Sequence, residues 1–260
     1  AALGIGAAIA RRFASAGDHV ILNDINSDAL TQVGTEVAQH AARVTLVPGD
    51  ITEQATVNAL AEAVDRDADG RVDVLVNNVG DFRPASAIFL KSTSAQWERL
   101  HQLNLGHVLA VTFALARGMV ARGSGAIINI STVEAYRGIP GNAVYSAYKA
   151  GVSAFTKSLA VELAGAGVRV NAIAPDLADT DQTPAELMLA GRDTALIRSW
   201  VPLGHFGEPD EYARVVEFLA SDAAAFVTGH TIPVDGGTLA ASGWYGRSTR
   251  RGWTNLPDGA

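Results

Sequence analysis

A tyrosine and a lysine four residues apart, Tyr145 and Lys149, stand in an alanine-rich stretch without proline that runs over residues 143–163. Such a composition predicts a helix, and an i, i+4 pair lies on one of its faces. A neighbouring ammonium favours the ionised form of a phenol, which lowers its pKa and brings a reluctant proton donor toward working pH. That chemistry suits reduction of a carbonyl or oxidation of an alcohol. The spacing alone equally fits a solvated helix, so its surroundings must decide.

The elements that would position the pair follow a regular alternation. Residues 1–10 open on Gly4, Ile5 and Gly6 and run into an alanine-rich helix. Glycines at such a point let the backbone approach a pyrophosphate, whose charge then sits at the helix N-terminus. An apolar strand over 19–24 ends in Asp24, at about the distance expected for gripping a ribose diol, although a turn or helix cap would also use an aspartate there. Strands are predicted at 43–47, 72–76, 126–130, 168–173 and 231–234, with helices at 53–64, 94–122 and 209–220 between them. This alternation implies a parallel sheet covered by helices on both faces. Ligands of such sheets bind beyond the C-terminal strand ends, where Asp24, residues 77–80, Ser131, Thr132 and Pro175 fall. A sheet of this kind also needs a central strand ahead of its glycine loop, and the sequence begins inside that loop. The expectation is therefore a chain shortened relative to the working protein.

The composition narrows the function. With 260 residues, 48% hydrophobic, 18% charged and 26 glycines, the chain suits one globular α/β domain. A net charge of -7 argues against nucleic acid or an anionic membrane as the main partner. The absence of cysteine excludes disulfide and thiolate chemistry, and the six histidines show no metal-binding spacing. No signal peptide is evident, which agrees with a cytoplasmic location. The longest apolar run, residues 103–120, carries Asn104, His107 and Arg117 and is expected to be a buried or subunit-interface helix rather than a membrane span.

Taken together, these motifs resemble the short-chain dehydrogenase/reductase family over nearly the whole chain. Gly4 and Gly6 match the end of its glycine loop, Asn77-Asn78-Val79-Gly80 its NNAG turn, Tyr145 and Lys149 its YxxxK, and residues 234–237 its closing VDGG. The resemblance implies a Rossmann-like doubly wound parallel sheet of about seven strands, the first absent from the sequence. It also implies NAD (NADH) as cofactor, because Asp24 would bond the adenosine ribose and repel a 2′-phosphate, while Leu3 stands where NADP-preferring relatives often carry a basic residue. Asp50 and Ile51 would border the adenine and Asn77 would support that wall. Lys149 would also hold the nicotinamide ribose, and Thr180, after Pro175, would meet the carboxamide. Asn104 matches the family's water-positioning asparagine, though a buried helical asparagine also satisfies backbone groups.

Two positions depart from the family pattern. The catalytic serine is replaced by Thr132, with Ser131 just ahead; Thr132 is the favoured hydroxyl, its β-methyl narrowing the pocket. In the PGxxxT segment Asp176 stands in place of glycine, which leaves the path of that loop open. The implied reaction interconverts a secondary alcohol and a ketone by hydride transfer, with Tyr145 as general acid/base and Asn104, Thr132 or Ser131, and Lys149 assisting. A lyase or epimerase of the same family, or a non-catalytic NADH-sensing protein, are the alternatives. Residues 181–205 are expected to form a lid over a small-molecule alcohol or ketone. The tail over 238–260, with Trp244, Tyr245, Arg247, Arg250, Arg251 and Trp253, is expected to pack on a subunit, and the family implies a homotetramer.

Overall fold

The apolar strands have no polar face to offer water, so helices must cover both sides of them. In the strand Gly125–Ile130, for example, five consecutive side chains from Ala126 onward are buried, including Asn129. The computed structural model describes residues 1–83, 87–241, 243, 245, 246, 253 and 254. In chain order the elements are α1 (Gly4–Ser15), β1 (His19–Asp24), α2 (Ser27–Val37), β2 (Arg43–Pro48), α3 (Gln54–Ala68) and β3 (Val74–Asn77). Then come α4 (Ser94–His101), a π turn (Gln102–Gly106), α5 (His107–Arg122), β4 (Gly125–Ile130), α6 (Ala143–Ala164) and β5 (Val168–Pro175). The short helices α7 (Ala185–Leu189) and α8 (Ile197–Trp200) precede α9 (Pro209–Ala220) and β6 (Thr231–Val234). A two-residue pairing of β7 (Tyr245–Gly246) with β8 (Trp253–Thr254) is antiparallel. Trp244, Arg247, Arg250 and Arg251 of the expected subunit-packing tail lie outside the described residues.

All pairings among β1 to β6 are parallel, as the alternation implies. One face of the sheet is covered by α3, α5 and α6, with Val57, Leu115, Met119 and Ala160 meeting Val47, Ile127 and Val170. The other is covered by α1 and α9, where Ile9, Tyr212, Val216 and Leu219 meet Ile128 and Ile173. Arg12 of α1 ties these two helices together through Asp210 at 3.2 Å and Glu217 at 2.7 Å. This is the doubly wound Rossmann-like arrangement.

The long helix expected over 94–122 is interrupted. Its middle turn opens into the π turn, which widens the hydrogen-bond ring by one residue and separates α4 from α5. The stretch Ser94–Arg122 is long and apolar enough to cross a membrane by composition, and Val108, Val111, Leu115 and Met119 of α5 are buried in the domain. The expected single sheet is also in two blocks. Strands β1 and β2 form one, and β3-β4-β5-β6 the other, so β1 and β3 are not hydrogen-bonded to each other.

A cavity of about 460 Å³ lies between the blocks, lined by Val20 and Leu22 of β1, Leu75 of β3, Ile9 of α1, Leu60 of α3 and Val111 of α5. Its walls include the facing sides of β1 and β3. His107 also lines it; the Nδ1 atom meets Gln102 O at 3.1 Å, whereas the buried Nε2 atom has no partner. Burial pulls the His107 pKa down to about 4, so the ring is neutral at physiological pH.

An apolar-walled gap between strand edges leaves packing contacts and backbone hydrogen bonds unmade. A segment of six or seven apolar, β-prone residues fused ahead of Ala1, which borders the cavity, is therefore expected to raise Tm by about 5 °C or more. Differential scanning calorimetry of the two chains checks this, and an unchanged Tm would show that the gap does not accept a strand.

Candidate active site

Tyr145 and Lys149 occupy the first turns of α6, beside the C-terminal end of β4. The Lys149 side chain is buried, and its Nζ donates to Ile130 O at 2.9 Å. It lies 5.9 Å from the centre of the Tyr145 ring. Burial pulls the Lys149 pKa from 10.5 to about 8. The Tyr145 phenol is pushed up from its ordinary value, chiefly by burial and further by the negative charges of Glu134 and Asp81, against the opposing influence of the Thr132 hydroxyl. The direction is opposite to that expected from the pairing with lysine. Desolvation of the phenolate outweighs the ammonium, whose proton is directed at a carbonyl rather than at the phenol.

The two candidate hydroxyls have different surroundings. Ser131 Oγ is tied to the backbone of α6 through Lys149 O at 3.1 Å and to Ser153 Oγ at 2.8 Å. Thr132 is the one that bears on the Tyr145 phenol, and its Oγ1 donates to Pro175 O at 3.3 Å and accepts from Glu134 N at 3.3 Å. Ser131 thus braces the helix, and Thr132 faces the phenol.

Asn104 sits in the π turn and is fully buried. Its Nδ2 donates to Asp81 O at 2.9 Å and Leu100 O at 3.0 Å, and its Oδ1 accepts from Asp81 N at 3.1 Å. The π turn thereby aims the carboxamide across at the segment after β3. Gly80 closes the group: a Cβ there would stand 2.7 Å from Lys149 Nζ and 3.1 Å from Asn104 Oδ1. Asn104, Gly80, Lys149, Tyr145 and Thr132 therefore come together from four separate segments, while Ser131 lies behind them.

The residues assigned to the cofactor line the neighbouring strand ends. Helix α1 has no side-chain cap and no acidic residue in its first turn, leaving its N–H groups available to an anion. Gly4 has φ of +51°, and a Cβ on it would press on Thr180 Cγ2 at 3.2 Å; one on Gly6 would meet Asn78 Nδ2 at 2.8 Å. Ile5 follows in the same turn and packs against the α9 side of the core. Asp24 Oδ2 accepts from the Ala1 and Ala2 nitrogens at 2.9 and 2.8 Å, and Oδ1 from Asn26 N at 2.9 Å. Burial pushes its pKa up, but these bonds outweigh it and hold it below the usual value. An ionised carboxylate has about four acceptor positions, so room for a further donor remains. A tight glycine turn, free helix N–H groups and an acceptor at the next strand end fit a dinucleotide.

Other assigned residues serve that cradle from inside. Asn77 is buried and donates to Asn129 Oδ1 at 2.8 Å and Thr112 Oγ1 at 3.1 Å, which fixes the end of β3. Ile51 is buried in the core, and Asp50 is engaged by Thr52 and by Arg99 Nη2 at 3.2 Å. Burial raises the Asp50 pKa, and those contacts more than reverse the effect.

Several residues around the phenol were not singled out by the motifs. Phe82 packs edge-on against Tyr145 with ring centres 5.9 Å apart. Gln182, from the expected lid, reaches Asp81 Oδ1 at 3.1 Å. Asp176 is not the residue with special backbone freedom; the left-handed position is the next one, Leu177, with φ of 36°. Asp176 instead joins Arg137 and Thr238, both at 2.5 Å. Glu134, two residues beyond Thr132, bears on Tyr145 electrostatically. Only its closeness in sequence to Thr132 could have drawn attention to it.

A nucleotide cradle beside a Thr-Tyr-Lys-Asn group, at the C-terminal edge of a doubly wound sheet, defines a nicotinamide-dependent oxidoreductase. A family model described as Enoyl-(Acyl carrier protein) reductase matches residues 1–238. The chain is 40% identical over 239 residues to 3-oxoacyl-(acyl-carrier-protein) reductase FabG of Thermotoga maritima, covering 92% of this chain and 95% of that protein. Among solved structures it is similar to levodione reductase, with a TM-score of 0.85 at 31% identity over 92% of this chain and 95% of that one. It is likewise similar to a 7α-hydroxysteroid dehydrogenase complexed with NADH and 7-oxo glycochenodeoxycholic acid, with a TM-score of 0.82 at 31% identity, covering 91% of this chain and 90% of that one. The chain belongs to the short-chain dehydrogenase/reductase family, and it is an oxidoreductase of that family.

The Lys149 shift makes stability depend on pH. Its folded pKa of about 8 lies below 10.5, so between these values the unfolded chain binds the proton more readily and stability rises with pH. Above pH 10 Tyr145 acts in the opposite direction, since its phenol stays protonated longer in the folded state. Urea midpoints measured from pH 8 to 10 are expected to climb in the wild type and to climb less in Lys149→Met. Parallel profiles would remove Lys149 as the source.

Proposed function

We propose that the chain interconverts a secondary alcohol and a ketone with NAD(H), Tyr145 acting as general acid/base. The observation that carries this reading is the convergence at the end of β4 of Tyr145 with the buried Lys149, whose Nζ donates to Ile130 O and faces Asn104 Oδ1 across Gly80. When bound, the nicotinamide supplies or accepts the hydride. Thr132 Oγ1 orients and polarises the substrate oxygen, and Tyr145 delivers a proton to it in reduction or removes one in oxidation. Lys149 and Asn104, sharing the space over Gly80, hold the route by which that proton is replaced from solvent. A phenol held protonated by burial is a donor in reserve. A partner oxygen that gathers negative charge draws the proton from it, and an ammonium nearby stabilises the phenolate that results.

NAD is favoured over NADP because Asp24 presents a carboxylate where a 2′-phosphate would have to sit, and Leu3 offers no countercharge. The NADH named for the 7α-hydroxysteroid dehydrogenase agrees with this preference. The ketone substrates named for the relatives support a small-molecule alcohol or ketone here. Segment 181–205, whose Gln182 touches Asp81, acts as the lid that shields the reacting atoms from water. We assign the working form to a homotetramer in the cytoplasm. Phe113 on α5 and Val161 on α6, 68% and 81% exposed, provide apolar faces for pairing these helices between subunits.

Tyr145→Phe is expected to lower kcat by at least about a thousandfold while leaving the Kd for NADH within about twofold. Thr132→Val is expected to lose more turnover than Ser131→Ala. Steady-state kinetics with titration of NADH fluorescence reads both, and full turnover by Tyr145→Phe would reject the proton donor.

Asp24→Ala is expected to cut the preference for NADH over NADPH by about tenfold or more, measured as the ratio of kcat/KM values. An unchanged ratio would remove Asp24 as the discriminating group.

A further inference from the structure

Two carboxylates, Glu134 and Asp81, bear on the catalytic phenol and a third, Asp176, bears on Glu134; Asp81 and Asp176 are neutralised. Asp81 is paired with Arg83 at 2.7 Å and accepts from Gln182 at 3.1 Å. Asp176 is paired with Arg137 and Thr238. Glu134 has no ion pair among the described residues. Its side chain receives only two long contacts, from Asn142 Nδ2 at 3.3 Å and Ser146 Oγ at 3.4 Å. Both exceed the distances of strong charge-assisted bonds, which leaves most of the acceptor capacity of a carboxylate unused.

The placement of Glu134 is fixed relative to the reacting atoms. Its backbone N–H donates to the Thr132 hydroxyl at 3.3 Å, so the residue is registered against the group that would orient the substrate oxygen. The Ser146 contact puts its carboxylate beside the residue that follows Tyr145. A half-buried acceptor without a countercharge is costly unless a donor reaches it. The nearby cation Arg137 is ion-paired with Asp176 instead.

We infer that Glu134 is a specificity-determining residue that selects substrates carrying a second hydroxyl beside the reacting carbon, hydroxyketones in reduction and diols in oxidation. The inference rests on the alcohol/ketone reading given above. The second hydroxyl donates to Glu134 while the reacting oxygen lies between Thr132 and Tyr145. The same carboxylate repels a substrate carboxylate at that position, and the charge of Arg137 is countered there by that of Asp176, its ion-pair partner. Burial first, and the charge of Asp176 after it, pushes the Glu134 carboxyl above its ordinary pKa, which is the mark of a group short of donors.

The test compares 2-hydroxycyclohexanone with cyclohexanone, each with NADH and with NADPH. The wild type is expected to favour the hydroxyketone by about tenfold in kcat/KM, mostly through KM. Glu134→Ala is expected to bring that ratio close to one. Glu134→Gln, which keeps the size and a neutral acceptor, is expected to give an intermediate ratio and guards against a folding defect in the alanine variant. Equal kcat/KM for the two ketones in the wild type, or a ratio unmoved in both variants, overturns this inference and leaves the oxidoreductase reading standing. No consumption of either ketone with either nucleotide overturns the alcohol/ketone reading and this inference with it.

Discussion

The site depends on one close approach, where the backbone at Gly80 passes so near Lys149 Nζ and Asn104 Oδ1 that no Cβ fits. The lysine can be buried only because Ile130 O receives its proton, and that carbonyl is free because β4 ends there. The asparagine can face the same point only because the π turn rotates it out of the regular helical register. A strand end, a helix defect and a glycine are thus solved together. Changing any one of them would displace the other two, which is why groups so far apart in sequence form a single unit.

That unit stands on a rigid floor. Asn77 at the end of β3 bonds to Asn129 of β4, and Asn129 in turn donates to Thr156 of α6 at 2.9 Å. A buried polar chain of this kind fixes the relative height of two strands and a helix, because a shift along any of them would leave an amide unpaired. Ser131, bound to Lys149 O and Ser153, does the same for α6 directly beneath the reacting side chains. The hydroxyl that looks most like the usual catalytic serine is therefore used as a brace. Thr132 takes the place on the phenol's side.

Much of this was legible in the sequence, for physical reasons that can be stated residue by residue. Strand and helix alternation follows from uninterrupted apolar runs, and it placed Asp24, Asn77, Thr132 and Pro175 at one edge of the sheet. The i, i+4 relation of Tyr145 and Lys149 follows from helix geometry alone. The break in the helix at residues 102–106 was not legible, because a π turn changes hydrogen-bond partners without changing composition. Nor was the direction of the Tyr145 shift, since charge proximity can be read from spacing whereas desolvation depends on what surrounds the ring. Leu177 taking the left-handed conformation instead of Asp176 is a similar case. The loop keeps its path by moving the strain one residue on, held by Gly207 N donating to Leu177 O at 3.0 Å.

The division of the sheet sharpens how the two halves of the site relate. The block carrying β3 to β6 holds the proton-handling residues, and the block carrying β1 holds Asp24. With no backbone ladder between β1 and β3, the two are connected through the helices on both faces: α1 packs on β1 and on α9, and α3 joins Val47 of β2 to Leu75 and Ile127. Gly4 and Gly6 open α1, so the phosphate-facing turn belongs to one of these connecting helices. A dinucleotide spanning from Asp24 to Thr180 would contact both blocks. Its binding free energy would therefore hold the blocks in register, coupling cofactor occupancy to the alignment of Tyr145 with whatever substrate the pocket contains.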